Sequence, residues 1–424
     1  MVKAKYLVRI LIVLAFVALL AVPTAAQEPV KIATGWGGAE LAAFVEVLDA
    51  SGIDYEILSL SSIEVDLGPL VAAGNAPDIA QMPRPGVTAS FARDGALIPL
   101  SGGDDPFLSD EVLAYTPNSL LEIGTVDGEL YGLMVKVSSK GTFWYKPASL
   151  AALGMEVPAT YEELIALGDA YVANGQVPFM ITAGSAWVLT DWFETLYVSV
   201  AGPEMYQGLF VTHTVEWTDP TVVETLELFR QIFDPADERI SGGVEGALST
   251  DLRSGIDAAF RPEDPAGELF LSGSFVGGII SETFPDLTCG EDFDWFNFPE
   301  PGDMHGDTLM GGGDVMMVFN DRPEVRAMMH WLASPESATI WATAEQGAIL
   351  SPNTGVPLES YDACKAKEAQ QIAATDVFVF DGSDLAPGAV GGDAMFVALQ
   401  DYLADPDSMM EILETLEDAA DAAY

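Results

Sequence analysis

Two hydrophobic rhythms alternate along the first third of the chain. Short apolar runs read as strands at VKIATGW from Val30, DYEILSL from Asp54, and Asp78–Met82. Between them, apolar positions recur at helical spacing in GGAELAAFVEVLDASG, closed by Gly52, and in VDLGPLVAAGN. Strands alternating with helices predict a parallel α/β sheet. Further on, PATYEELIALGDAYVANG opens with a capping box, Thr160 with Glu163, which fixes a helix start. TDPTVVETLELFRQIF enters on Asp-Pro and carries Arg230 near its end. DRPEVRAMMHWLAS and SPESATIWATAEQG predict two more helices, the second capped by Ser334 with Pro335 at its first position and stopped at Gly347. DPDSMMEILETLEDAADAAY predicts a C-terminal amphipathic helix. Ligands of such sheets bind at the carboxyl ends of strands. That rule selects the loops Gly35–Glu40, Gln81–Gly86, Gly184–Trp192 and Gly311–Asp314.

At 424 residues the chain exceeds the roughly 250–300 at which one core stops growing, so two lobes are expected. The N-terminus carries Lys3, Lys5 and Arg9, then an apolar run from Ile10 to Val22, then Pro23-Thr24-Ala25-Ala26. This is the pattern of a secretory signal peptide over residues 1–26, cleaved before Gln27. No cysteine follows the apolar run, so no lipid anchor is expected there. Without that segment the basic residues fall from 17 to 14 against 65 acids, and the net charge moves from −48 to −51. Such a field repels nucleic acid and anionic lipid, and favours a neutral or cationic ligand. Cys289 and Cys364 are the only cysteines, and an isolated pair in an exported chain predicts a disulfide. With three histidines (His213, His305 and His330), no metal site and no cofactor are expected.

Enzyme signatures are missing. Gly35-Trp36-Gly37-Gly38-Ala39-Glu40 starts like a dinucleotide fingerprint, but Glu40 stands where the last glycine belongs. There is no Gly-Lys dipeptide for a P-loop, no Gly-x-Ser-x-Gly elbow and no His-Glu-x-x-His helix. Carboxylate pairs suited to glycoside hydrolysis are uninformative among 65 acids.

Several segments together resemble one family. They are AAGNAPDIAQMPRPG, DGELYGLMVKVSSKGTFWYKPASL, WVLTDWFETLYVSVAGPEMY, GGGDVMMVFNDRPEVRAMMHWLASPESATIWA, GAILSPN and FDGSDLAPGAVGG. In this order and spacing they are similar to the extracellular sugar-binding proteins of bacterial ABC importers, nearest the α-glucoside branch. The resemblance implies two α/β lobes, each a mostly parallel sheet flanked by helices, closing on a ligand at crossing hinge segments. It places lobe I at residues 27–138 with 300–333, and lobe II at 139–299 with 334–424. The crossings would fall near Ser138–Lys140, Pro299 and Ser334. It implies no catalysis, an exported monomer, a carbohydrate ligand and the membrane permease as partner. The stretch FRPEDPAGELFLSGSFVGGIISETFPDLTCG departs from the family pattern, so the resemblance gives Phe275 no role.

A pyranose offers apolar faces and a rim of hydroxyls, so its site needs aromatic planes and in-plane polar groups. Trp36 follows the first strand on a glycine turn, with Glu40 at the helix start. Trp187 and Asp191 match the family's Trp…Asp-Trp segment, whereas Trp192 reads as core. Gln81 and Arg84 leave the third strand toward a cleft, and a guanidinium fork can bind hydroxyls or clamp a carboxylate. Asp78 reads as a strand-entry carboxylate of structural use. Lys136, Lys140 and Lys146 are the only Lys or Arg between Asp94 and Phe229, with the first two placed at the crossing and Lys146 paired with local acids. Gly312 and Gly313 offer bare backbone to a sugar, and Asp314 can accept from two hydroxyls. Trp144, Trp295, Trp331 and Trp341 sit in apolar patterns and read as core. Two rivals are an extracellular glycoside hydrolase and a two-lobe binding protein for a cationic small molecule.

Overall fold

A computed structural model describes residues 28–60, 62–233, 238–299, 301, 308–344, 349–375 and 377–424. The expected signal peptide, its cleavage before Gln27 and the stop at Gly347 lie outside the described residues. No helix among the described residues is long and apolar enough to cross a membrane.

The sheet-forming strands, in chain order, are β1 (Val30–Thr34), β2 (Tyr55–Ser59), β3 (Ile79–Met82), β4 (Gly132–Ser139) and β5 (Thr142–Tyr145). They continue with β6 (Phe179–Met180), β7 (Leu269–Ser272), β8 (Asp294–Asn297), β9 (Thr308–Val318) and β10 (Val377–Phe380). One sheet runs β10-β9-β3-β1-β2 with β4 on the other side of β9, and the second runs β8-β5-β7-β6. Each sheet has its own apolar cores, the first around Ile32, Phe44 and Met316 and around Met82 and Val315. The second carries Phe143, Trp192 and Leu269 on one side and Trp144, Phe270 and Trp295 on the other.

The two-lobe α/β organisation matches the expectation, but the sheets are mixed rather than mostly parallel. β1 pairs in parallel with β2 and β3, whereas β9 runs antiparallel to both β3 and β4. In the second sheet only β6–β7 is parallel. The cause is the return strand, which enters the first sheet from the opposite end.

Three segments lie side by side where the sheets meet. The chain leaves β4 at Ser139 and starts β5 at Thr142, near the crossing expected at Ser138–Lys140. Gly311 of β9 is flanked by Ser139 on one side and Phe380 on the other. The Lys140 N–H donates to Met310 O at 3.0 Å, and the Asp381 N–H donates to Gly311 O at 2.7 Å. The chain passes from β8 into β9 after Pro299, and the third segment beside the crossing is β10 rather than the stretch at Ser334.

Helices follow their sequence signals closely. α1 (Gly38–Ser51) ends on Gly52 in the left-handed region at φ 67°. α2 (Tyr161–Ala173) begins at the Thr160 cap, which accepts from the Glu163 N–H at 3.2 Å, while Glu163 accepts from the Ala159 N–H at 2.8 Å. α3 (Trp187–Phe210) bends at Gly202. It begins on Trp187, so Asp191 and Trp192 lie inside a helix rather than in the expected loop. α4 (Pro335–Ala342) is capped by Ser334, as expected. It packs on the first sheet's core through Trp341, not with the second lobe, because Trp341 fills the space between Trp36 and Phe44. α5 (Gly382–Leu385) follows β10, and α6 (Met395–Ala404) and α7 (Met409–Ala423) close the chain. Cys289 and Cys364 form the expected disulfide, with Cα atoms 5.9 Å apart.

Candidate functional site

The cleft between the sheets holds a cavity of about 320 Å³. From the first sheet come Gln81, Lys136 and Asp314, with Gly312 and Gly313, while Lys140, Phe275 and Asp384 close it from the crossing and the second lobe. A larger cavity, about 830 Å³, is lined wholly by residues 389–419, so it joins nothing from the first sheet.

The first-sheet wall is a hydrogen-bonded chain. Gln81 Oε1 accepts from the Gly35 N–H at 2.9 Å and from the Thr34 hydroxyl at 3.3 Å, and Gln81 Nε2 donates to Asp314 Oδ1. Lys136 Nζ binds Glu40 and lies 3.4 Å from Asp314 Oδ2. Burial pulls the Lys136 pKa down, but Asp314 and Glu40 together hold it above its ordinary value. Lys136, Glu40 and Asp314 are paired with one another, whereas the exposed Glu64, which also lines the cavity, has no ion-pair partner among the described residues. The glycines serve strand pairing first: a Cβ on Gly313 would stand 2.2 Å from the Lys136 carbonyl oxygen, and one on Gly312 would meet Lys140 Cε at 3.0 Å.

Trp36 borders the cavity, yet its ring is 6% exposed and packs edge-on against Phe44 at 4.9 Å and Trp341 at 5.0 Å. It is a core ring whose backbone shapes the loop. Asp78, read as structural, binds Arg322, and its carboxylate accepts from the Lys31 N–H at 2.9 Å.

The opposite wall centres on Lys140. Its ammonium binds Asp381, stands 3.3 Å from Asp191 Oδ1, and lies 5.2 Å from the centre of the Trp187 ring. Burial pulls the Lys140 pKa down, and the carboxylates of Asp191, Asp381 and Asp384 more than offset it, leaving it well above its usual range. Burial pushes Asp191 up to about 8 despite Lys140. Burial and the neighbouring Asp381 push Asp384 up to about 7, against Lys140 and Arg84. Burial also acts to raise Asp381, but the Lys140 contact dominates and holds it below its ordinary value.

Asp191 is fully buried inside α3, so it acts on Lys140 and does not line the cavity. One turn later Glu194, also fully buried, accepts from Tyr206 Oη at 2.6 Å and from the backbone N–H groups of Gly382 and Ser383. Arg84 is a strap across the lobes: its guanidinium donates to Ser383 O at 2.6 Å and lies 3.6 Å from Asp384. Lys146 pairs with Glu268 at 3.7 Å and donates to Ala259 O, as its local-pairing reading had it.

Trp187 is half-buried at the first position of α3, with the half-buried Phe275 ring 6.1 Å away. Of these two rings Phe275 lines the cavity, and Trp187 sits beside it, next to Lys140 and packed in part against the second lobe's core. Sequence reasoning left Phe275, Asp381, Asp384 and Glu194 without roles. The one available signal was Asp381-Gly-Ser-Asp384 inside FDGSDLAPG, directly after the VFVF strand.

Two α/β lobes that meet at a three-segment crossing, with a cavity between them, are the architecture of a solute receptor. The protein belongs to the bacterial extracellular solute-binding protein family, which its residues 56–374 match. It is 33% identical over 382 residues to the osmoprotective compounds-binding protein GgtB of Synechocystis, covering 89% of this chain and 87% of that one. It is 30% identical over 389 residues to the alpha-glucosides-binding periplasmic protein AglE of Rhizobium meliloti, covering 88% and 83%. Among solved structures, the bacterial solute receptor AcbH superposes with a TM-score of 0.78 at 17% identity, over 93% of this chain and 99% of that one.

Proposed function

We propose that the protein is an exported receptor that captures an α-glucoside or other oligosaccharide in the interlobe cleft and delivers it to an ABC permease. The observation that carries this reading is the Phe275 ring lining the cleft, with Trp187 beside it, next to lysines that are already paired with acids. Aromatic planes suit the C–H faces of a sugar ring, and neutralised polar groups suit its hydroxyls better than a net charge. Lys140 already lies over the Trp187 ring, which leaves that face poorly suited to a cationic ligand. A relative named for alpha-glucosides supports a neutral, hydroxyl-rich ligand.

In this reading the first lobe comprises the residues up to Ser139 and from Gly312 to Thr375, and the second those from Gly141 to Pro299 and from Asp381 on. Closure turns about the Ser139–Gly311–Phe380 crossing. The protein works as a monomer outside the cytoplasm and performs no bond chemistry. A thermal-shift screen over monosaccharides, disaccharides and small α-glucosides tests the proposal. A saturable rise in melting temperature with at least one α-glucoside, and none with choline or a polyamine, is expected. Stabilisation by cations alone, or turnover of an aryl α-glucoside, would overturn it.

A further inference from the structure

Outside the cleft, the loop after α3 brings a histidine against the C-terminal helix. His213 Nε2 lies 3.3 Å from Glu417 Oε1 and 3.3 Å from Asp421 Oδ1, and the three donor atoms all fall within 4.8 Å of one another. Glu417 and Asp421 stand four residues apart on α7, so helical periodicity puts both carboxylates on one face. His213 holds a φ of 47°, a left-handed conformation that turns its ring back onto that face.

The spacing has a chemical reading. A tetrahedral zinc with bonds of about 2.0–2.2 Å to nitrogen and oxygen sets its donors about 3.3–3.5 Å apart. Both nitrogen–oxygen separations here meet that value. The imidazole side chain is 10% exposed, and its other nitrogen, Nδ1, is buried with no hydrogen-bond partner among the described residues. A doubly protonated ring bridging the two acids would leave a charged N–H unpaired at Nδ1. A neutral ring carrying its one proton on Nε2 can serve only one of them. A divalent cation in place of that proton satisfies both carboxylates and leaves only a neutral N–H at Nδ1, the smaller penalty.

The surroundings hold the donors in place. The second oxygen of Glu417 accepts the Trp217 N–H at 2.6 Å, which turns Oε1 toward the histidine. The Tyr424 ring stacks on the His213 ring, with centroids 4.9 Å apart and planes at 17°, and its hydroxyl donates to Phe210 O. Asp421 is largely solvent-exposed, so a fourth position is open to water.

We infer that His213, Glu417 and Asp421 form a site for a divalent transition-metal cation such as zinc, which staples α7 to the loop leaving α3. One nitrogen and two carboxylate oxygens suit zinc, cobalt or manganese better than magnesium or calcium. The inference stands apart from the cleft and does not depend on what binds there.

The test is a calorimetric titration of the protein with zinc in excess magnesium, which occupies the many exposed carboxylates, and a parallel cobalt titration read by visible absorption. One zinc per chain is expected, with a cobalt spectrum of tetrahedral type. Asp421→Asn, at an exposed position that folding does not need, weakens binding at least about tenfold, and His213→Ala removes the cobalt spectrum. α-Glucoside affinity stays unchanged in both variants. No saturable zinc site under magnesium, or wild type and Asp421→Asn titrating alike, would overturn the site and leave a proton-bridged acid–histidine pair. Should His213→Ala fail to fold, Asp421→Asn and the cobalt spectrum decide alone.

Discussion

Truncating two neighbouring tryptophans of α3 should have opposite consequences. Trp192 has no exposed surface, lies 5.5 Å from Phe229 in a stacked arrangement, and meets Phe143 edge-on at 5.4 Å. Removing such a ring leaves a large cavity, and Trp192→Ala should cost about 3–5 kcal/mol of folding stability. Trp187 is half-buried and meets only Phe275 and Lys140 among aromatic and cationic groups at the cleft. Its removal empties little packed volume, and Trp187→Ala should cost about 1 kcal/mol, within the ordinary range for single substitutions. Binding reverses the order. An aromatic anchor in a ligand site is worth about 2 kcal/mol or more, so Trp187→Ala should weaken glycoside binding roughly 30-fold. Folded Trp192→Ala should bind within a few-fold of wild type. Urea unfolding of the ligand-free proteins gives the stabilities, and calorimetry gives the affinities. If Trp187→Ala unfolds as early as Trp192→Ala yet binds normally once folded, Trp187 is a core residue and the aromatic wall is misassigned.

Three further outcomes follow from the same geometry. Lys140→Met strips the counter-ion from buried, ionised Asp381, and should cost about 3–5 kcal/mol in urea unfolding; a loss under about 1 kcal/mol would mean Asp381 is neutral without it. Asp191 and Asp384 keep their protons to about pH 8 and about pH 7 when folded, whereas the unfolded chain releases them near 4. Their contribution is full below the unfolded value and lost as pH rises through the folded one, so melting temperature should fall from pH 5 to pH 8, with a flatter slope in Asp191→Asn. Asp381, held low, acts oppositely and loses its contribution only as pH falls toward and below its ordinary value. A wild-type melting temperature that climbs across this window would contradict the buried-acid cluster. Replacing both Cys289 and Cys364 by serine opens a link spanning 75 residues and should cost about 4 kcal/mol, read by urea unfolding.

Local signals were legible wherever one residue type does one job. Thr160 with Glu163, Ser334 with Pro335, and Gly52 each marked a helix end, and each sits where its chemistry requires. The cysteine pair and the core position of Trp192 were legible for the same reason. The start of α3 was not, because no side chain caps it: Ala186 precedes the helix and only a Gly-Ser turn announces it. That put Asp191 in a loop, whereas in the folded chain it is a buried helical partner of Lys140. Trp36 does line the cavity, but its burial depends on Trp341, some three hundred positions away in the chain, which no local pattern shows. The third crossing was hidden in VFVF, a four-residue strand whose partner, the start of β9, is set by tertiary pairing alone. The Asp381–Asp384 pair acquires meaning only after that pairing brings it to Lys140.

The central claim is that the interlobe cleft binds a neutral, hydroxyl-rich solute. Calorimetric titration of the wild-type protein with a small α-glucoside, at about 0.05 M and again at about 0.5 M salt, tests it most directly. An uncharged ligand should bind with one-to-one stoichiometry and nearly the same affinity in both, because screening has no net ligand charge to act on. Absence of saturable binding by any α-glucoside, or binding confined to cations and lost at the higher salt, would contradict the account.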